Sequence, residues 1–172
     1  MLANDILRKI RYSLNLKDKE MIKIFHLAKE EMDHAALRPL LKKEDDEDFE
    51  LCTQLLLNSF FDGLIIFFRG PAKNKVAPTR VLDISNNVIL RKIRIALAYK
   101  DTDMLEVFKL NNTTLSKSEL SAFFRKKEHK HYKKCGDQWL RHFLHGLALY
   151  KKRPTRTETI SVKGNVWLRR KK

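Results

Sequence analysis

Between residues 123 and 134 the chain reads FFRKKEHKHYKK, six Lys/Arg with two histidines and three aromatics in twelve residues. Lysines and arginines at this density offer counterion release to a nucleic acid, and Phe123, Phe124 and Tyr132 beside them could stack on bases. Helical spacing makes core residues of the same three aromatics, which leaves the phosphate chemistry to Arg125, Lys126, Lys127, Lys130, Lys133 and Lys134. Arg169, Arg170, Lys171 and Lys172 at the far end add four more cations. Contacts of this kind position a protein on a backbone and carry no base specificity, so DNA and RNA stand as equal expectations.

Other chemistry finds less support. His129, His131, Cys135, His142 and His145 are dense, with His131 and Cys135 four apart, but the paired ligand spacing of a zinc site is missing, and no metal or cofactor is expected. Asp137 and Arg141, four apart, suit a helical ion pair. No phosphate loop, nucleophile elbow or metalloprotease helix occurs in the 172 residues, and no catalytic residue is assigned.

The element that must carry the basic stretch occurs twice. Residues 4–14, NDILRKIRYSL, return as residues 87–97, NVILRKIRIAL, and an offset of 83 keeps register without a gap through Gly70 opposite Arg153. Of the first 24 pairs 13 are identical, and 20 of all 67. A fixed offset of this kind means two copies of one structural unit. At the place where the second copy is basic, the first reads LLKKEDDEDFEL, residues 40–51, with Glu44, Asp45, Asp46, Glu47, Asp48 and Glu50 behind two lysines. Net charge follows: residues 1–70 carry −2 and residues 71–172 carry +17 of the total +15. The second half suits polyanions, or the acidic stretch of another copy or partner.

Each unit reads as four helices. Ile6, Leu7, Ile10 and Leu14 recur at helical spacing, then Met21, Ile22 and Phe25, with Asp18 expected as cap. A third helix is expected from about His34 to Lys43 behind Asp33, and its counterpart opens at Ser116 with Glu119 in capping-box spacing. The fourth shows a stripe of Cys52, Leu55, Leu56, Phe60, Leu64 and Phe67, matched by Cys135, Trp139, Phe143, Leu147 and Tyr150. Gly63 and Gly146 interrupt this helix at one equivalent place, which implies close approach of another helix. The second and third helices of unit two also have the order of a helix-turn-helix, basic helix second.

The expected architecture is all-α: two tandem four-helix repeats with pseudo-twofold symmetry, sharing a core and packed through their fourth helices near Gly63 and Gly146. The units span 1–70 and 87–153, with a linker at 71–86 containing Pro78 and a basic extension at 154–172. Within the extension, Ile160 to Leu168 could turn a small hairpin that docks Trp167. Arg8/Arg91 and Arg11/Arg94 recur off the apolar stripe and suit either a function or ion pairs with Asp18 and Asp101.

The longest apolar run, Leu64 to Phe68, is far short of a membrane span, and no signal-peptide pattern or disulfide framework is visible. A cytoplasmic protein without membrane contact is expected. The head of each unit (Asn-x-x-Leu-Arg-Lys-Ile-Arg), residues 118–126 (SELSAFFRK) and residues 135–147 (CGDQWLRHFLHGL) resemble the YehS-like family of uncharacterised bacterial proteins over about residues 4–152. The resemblance implies a duplicated helical domain and brings no catalytic residues with it.

Overall fold

The computed structural model describes residues 1–71 and 84–152. Unit one contains α1 (Ala3–Leu14), α2 (Asp18–Leu27), α3 (His34–Leu40) and α4 (Gln54–Arg69). Unit two repeats the order with α5 (Asn86–Ala96), α6 (Asp101–Leu110), α7 (Lys117–Phe123) and α8 (Asp137–Lys151). No strand occurs among the described residues. The linker from 72 to 83, with Pro78, and everything from 153 onward, with the hairpin and Trp167, lie outside them.

Local chemistry sets the helix ends. The Asp33 carboxylate accepts from the Ala36 amide at 2.8 Å, and Ser116 and Glu119 exchange the two bonds of a capping box, at 3.2 and 3.0 Å. Asp18 does not cap α2, because it is the first helical residue. Lys17 holds the cap position and its amide donates to Glu20 at 2.7 Å, as Lys100 does to Asp103 at the same distance. Asp18 instead pairs with Arg11 and Asp101 with Arg94 at 2.8 Å, one of the two roles open to the repeated arginines, while Arg8 pairs with Asp5 and Arg91 has no carboxylate partner among the described residues. The third helices stop at Leu40 and Phe123, before the charged stretches begin.

The face of the fourth helix differs from the expected stripe. Cys52 and Cys135 are buried but precede their helices, and Leu57, Phe60, Phe61 and Leu64 form the buried face of α4, with Leu140, Phe143, Leu144 and Leu147 on α8. Leu55, Leu56, Phe67, Trp139 and Tyr150 are only half-buried. Asp137 also departs from expectation: it pairs with the amino group of Met1 and accepts from Asn86 at 2.8 Å, while Arg141 donates to Gln138.

Gly63 and Gly146 mark close approaches inside each unit, not between units. A Cβ on Gly63 would stand 1.9 Å from the Ile24 carbonyl oxygen of α2, and one on Gly146 would stand 2.0 Å from the Val107 carbonyl oxygen of α6. Only a hydrogen in place of the side chain lets α4 cross α2, and α8 cross α6, this closely.

The units meet instead through α1 against α8 and α4 against α5, a reciprocal arrangement that a pseudo-twofold axis exchanges. One hydrophobic core runs through both, so neither unit buries its apolar face alone. The two halves of the seam carry different polar groups. On one side Lys92 of α5 reaches Asp62 and Asn58 of α4 at 2.5 and 2.7 Å, in a mostly buried cluster. On the other, the Ser13 hydroxyl donates to the Leu144 carbonyl at 2.9 Å.

Candidate functional site

The charged stretches are the connections between the third and fourth helix of each unit, and one backbone design holds both. Asn4, fully buried on α1, donates through Nδ2 to the carbonyls of Leu40 and Glu50 at 3.0 and 2.8 Å, and its Oδ1 accepts from the Cys52 amide at 2.9 Å. Asn87 on α5 does the same with Phe123, Lys133 and Cys135, at 2.9 Å in each case. One amide side chain thereby ties the two ends of the connection to the first helix of its unit. Every member is satisfied, as a buried polar network requires.

Inside the clasp the turns also match. The Asp46 amide donates to the Lys43 carbonyl at 3.0 Å and the Phe49 amide to Asp46 at 3.2 Å; at the equivalent places His129 donates to Lys126 at 3.0 Å and Tyr132 to His129 at 2.7 Å. The two loops therefore share a scaffold and differ in what they display.

Unit two displays cations. Lys126, Lys127, Lys130, Lys133 and Lys134 are exposed and Arg125 is half-buried. Lys133 lies 3.9 Å from Glu119 and 5.6 Å from the Trp139 ring centroid. Lys126, Lys127, Lys130 and Lys134 have no ion-pair partner among the described residues. The aromatics serve the scaffold: Phe123 is fully buried, Phe124 lies under the Arg94 guanidinium at 4.9 Å, and the Tyr132 hydroxyl donates to Asn87 at 3.1 Å.

Unit one displays acids. Glu44, Asp45, Asp46, Glu47, Asp48 and Glu50 are all exposed. Two of them are used internally: Asp48 takes Lys42 at 3.1 Å and Asp46 accepts from the Lys43 amide at 2.7 Å. Asp48 also adopts a left-handed backbone, φ 57°, a conformation aspartate tolerates better than most residues.

Beside each loop lies a groove that spacing alone did not reveal. Arg91, Arg94, Ile95, Tyr99 and Phe124 line the one in unit two, with Arg69 contributed by the end of α4, around a cavity of about 510 Å³. Arg8, Arg11, Tyr12, Leu16 and Leu41 line its counterpart, with Lys151 and Lys152 from the end of α8, around about 690 Å³. Arg91 donates at 2.5 Å to the carbonyl of Phe124, the C-cap of α7, and Arg8 to that of Lys42, one residue past the C-cap of α3. Arg8 has a carboxylate partner in Asp5, whereas Val88 stands at the matching position beside Arg91. The exposed Arg91 shares the groove with an equally exposed Arg69, next to the end of α7 from which the basic loop departs.

The histidines do not assemble. Among the described residues no three His, Cys, Asp or Glu come together as a metal site. His142 is bound to Asn111, Thr113 and Gln138 at 2.5, 3.1 and 2.7 Å. Burial pushes the Cys52 and Cys135 thiols up to about 12, which keeps them protonated. The helix-turn-helix reading weakens too, since α6 and α7 are joined by six residues and α7 is only seven long. Arg169 to Lys172 lie outside the described residues. No described helix is long and apolar enough to cross a membrane.

A family model described as a protein of unknown function, DUF1456, matches residues 3–70 and again residues 86–153. The uncharacterized protein YehS of Escherichia coli (strain K12) is 38% identical over 148 residues, covering 86% of this chain and 95% of that protein. No solved structure matches.

Proposed function

The chain belongs to the DUF1456 family and carries the family's unit in each half, and from the one place where the halves differ most we propose that it is a non-enzymatic nucleic-acid-binding protein working through unit two. The observation that supports this is a single loop scaffold presenting four unpaired lysines in one copy and six acids in the other. Lys126, Lys127, Lys130 and Lys134, with Arg125, Lys133, Arg69 and Arg91, would meet backbone phosphates, and Arg169 to Lys172 would extend the contact. The loop of unit one, with six exposed acids and Lys42 neutralised by Asp48, would stay clear of the phosphates that the basic loop meets.

Mobility shift of the full chain with DNA and RNA duplexes and single strands, at several salt concentrations, tests the reading. Affinity falls steeply with salt, and reversing Lys126, Lys127, Lys130 and Lys134 to Glu removes most of it and flattens the salt slope by about four phosphate contacts. Binding indifferent to salt or to those reversals rules the proposal out.

A second reading has its own support in the pseudo-twofold. Loops of opposite charge at equivalent positions let two chains pair acidic 44–50 with basic 125–134 twice, in one closed dimer. Sedimentation decides it: such a dimer dissociates near 1 M salt, where screening shortens to about 3 Å, and a monomer at low salt excludes it.

A further inference from the structure

The two grooves are equivalent by descent but unequally filled. In unit two, Tyr99 occupies the position of Leu16, and Phe124 that of Leu41. The Tyr99 carbonyl takes the Arg94 Nε at 3.3 Å, and the Phe124 ring takes the face of its guanidinium. Tyr99 and Phe124 fill that groove from within, although the Tyr99 hydroxyl is itself buried with no hydrogen-bond partner among the described residues.

In unit one the smaller Leu16 and Leu41 leave a larger cavity, and the Arg11 Nε is buried with no hydrogen-bond partner among the described residues. A buried donor without an acceptor carries a desolvation cost that an incoming oxygen would relieve. Lys151 and Lys152 flank the same cavity, both exposed. Tyr12 is 65% exposed and stands between this cavity and a second one of about 350 Å³, bordered by Lys9, His145 and Leu149. Lys152 lies 4.9 Å from the centroid of the tyrosine ring and donates to its hydroxyl at 2.8 Å. The matching position in unit two is Ile95, which offers no ring.

We infer that the groove between the C-terminal ends of α1 and α8 is a nucleotide site, in which Arg11, Lys151 and Lys152 take a phosphate and the Tyr12 ring stacks with the base. The combination is specific: a cationic recess alone would take any anion, and an exposed ring alone any planar group. A free mononucleotide and one nucleotide of a single strand present this same chemistry. The inference does not rest on the reading of the basic loop, which lies beside the other groove.

Chemical-shift titration of the full chain with adenosine 5′-monophosphate, inorganic phosphate and the hexamer dA6 tests it. The mononucleotide binds about tenfold or more tighter than inorganic phosphate, the difference being one stacked base. Tyr12→Ala brings it down to the level of phosphate, and Lys151→Glu with Lys152→Glu removes both. Leu16→Tyr, which copies the filler of unit two, weakens the mononucleotide while the melting transition stays within a few degrees. The source follows from whether dA6 or the mononucleotide binds tighter, provided Tyr12→Ala weakens the tighter one. Reversal of Lys126, Lys127, Lys130 and Lys134 leaves mononucleotide affinity unchanged, so this site and the loop fail or stand separately. No mononucleotide binding at millimolar concentration, affinity no better than phosphate, or indifference to Tyr12→Ala overturns the inference.

Discussion

Asn4 and Asn87 decide more of this structure than any charged residue. Each closes a connection of about ten residues with three hydrogen bonds from one buried amide, and each leaves three backbone groups stranded if removed. Asn87→Ala should therefore destabilise the protein by about 2–4 kcal/mol, above the usual loss of one bond because buried partners remain unpaired. Native-state hydrogen exchange locates the effect: the Cys135 amide exchanges faster in Asn87→Ala while the Cys52 amide does not, and Asn4→Ala gives the converse. The cysteines at the closing bond have their own expected behaviour. With burial raising both thiols to about 12, the reactive thiolate is scarce at pH 8, and iodoacetamide should label neither until the chain unfolds. The asparagines were visible in the sequence as the first residue of a repeated motif, but nothing in their spacing says that they bond 36 to 48 residues away. Repetition shows that a polar residue has a job; only the fold shows which.

At the scale of elements, the repeat made most of the architecture legible. Four helices per unit, the cap at Asp33 and the box at Ser116 follow from periodicity and end chemistry. The buried face of the fourth helix did not follow, for a physical reason. Residues 55–68 of α4 are apolar nearly all round, so several stripes fit a 3.6-residue period equally well. Comparing the copies narrows the choice without closing it: Leu57/Leu140, Phe60/Phe143, Phe61/Leu144 and Leu64/Leu147 are the buried pairs and Leu55 aligns with a polar Gln138, but Leu56/Trp139 and Phe67/Tyr150 are apolar in both copies and only half-buried. The glycines carried the other half of the answer. Gly63→Ala or Gly146→Ala puts a methyl into a backbone carbonyl, and each should cost about 2–3 kcal/mol despite the better helix propensity of alanine. Thermal melting of the two variants checks this, and a stabilised variant would mean that the crossing is looser than the geometry requires.

The whole molecule was the least legible level. Two copies imply a symmetric relation, but an internal repeat does not say which faces meet, and α1 with α8 and α4 with α5 replaced the expected pairing of fourth helices. The seam is strongest evidence for one cooperative unit. Asp62→Ala strips Lys92 of its carboxylate in a mostly buried setting and should cost about 1–2 kcal/mol, whereas Asp48→Asn, which keeps a residue suited to the left-handed backbone, removes only an exposed pair and should cost under about 0.5 kcal/mol. Chemical denaturation of both variants measures the difference. Cleavage within residues 72–83 followed by separation of the halves should abolish cooperative melting, since the core runs through both; two halves that keep the parent transition would contradict a shared core.

The reciprocal seam has a consequence for how such a protein arose. A face that mates with its own copy is the face of a homodimer, and a solitary unit of this kind would have to find a second molecule before it could fold. Fusion in one chain replaces that search with tethering, whose effective concentration is on the order of millimolar for a short linker. Fusion also ends an older obligation. In a homodimer every substitution appears twice, so the loop between the third and fourth helix would be acidic on both sides or basic on both. Once the copies are separate stretches of one gene, one loop is free to become KKEDDEDFE and the other RKKEHKHYK, and one groove to fill while its twin stays open.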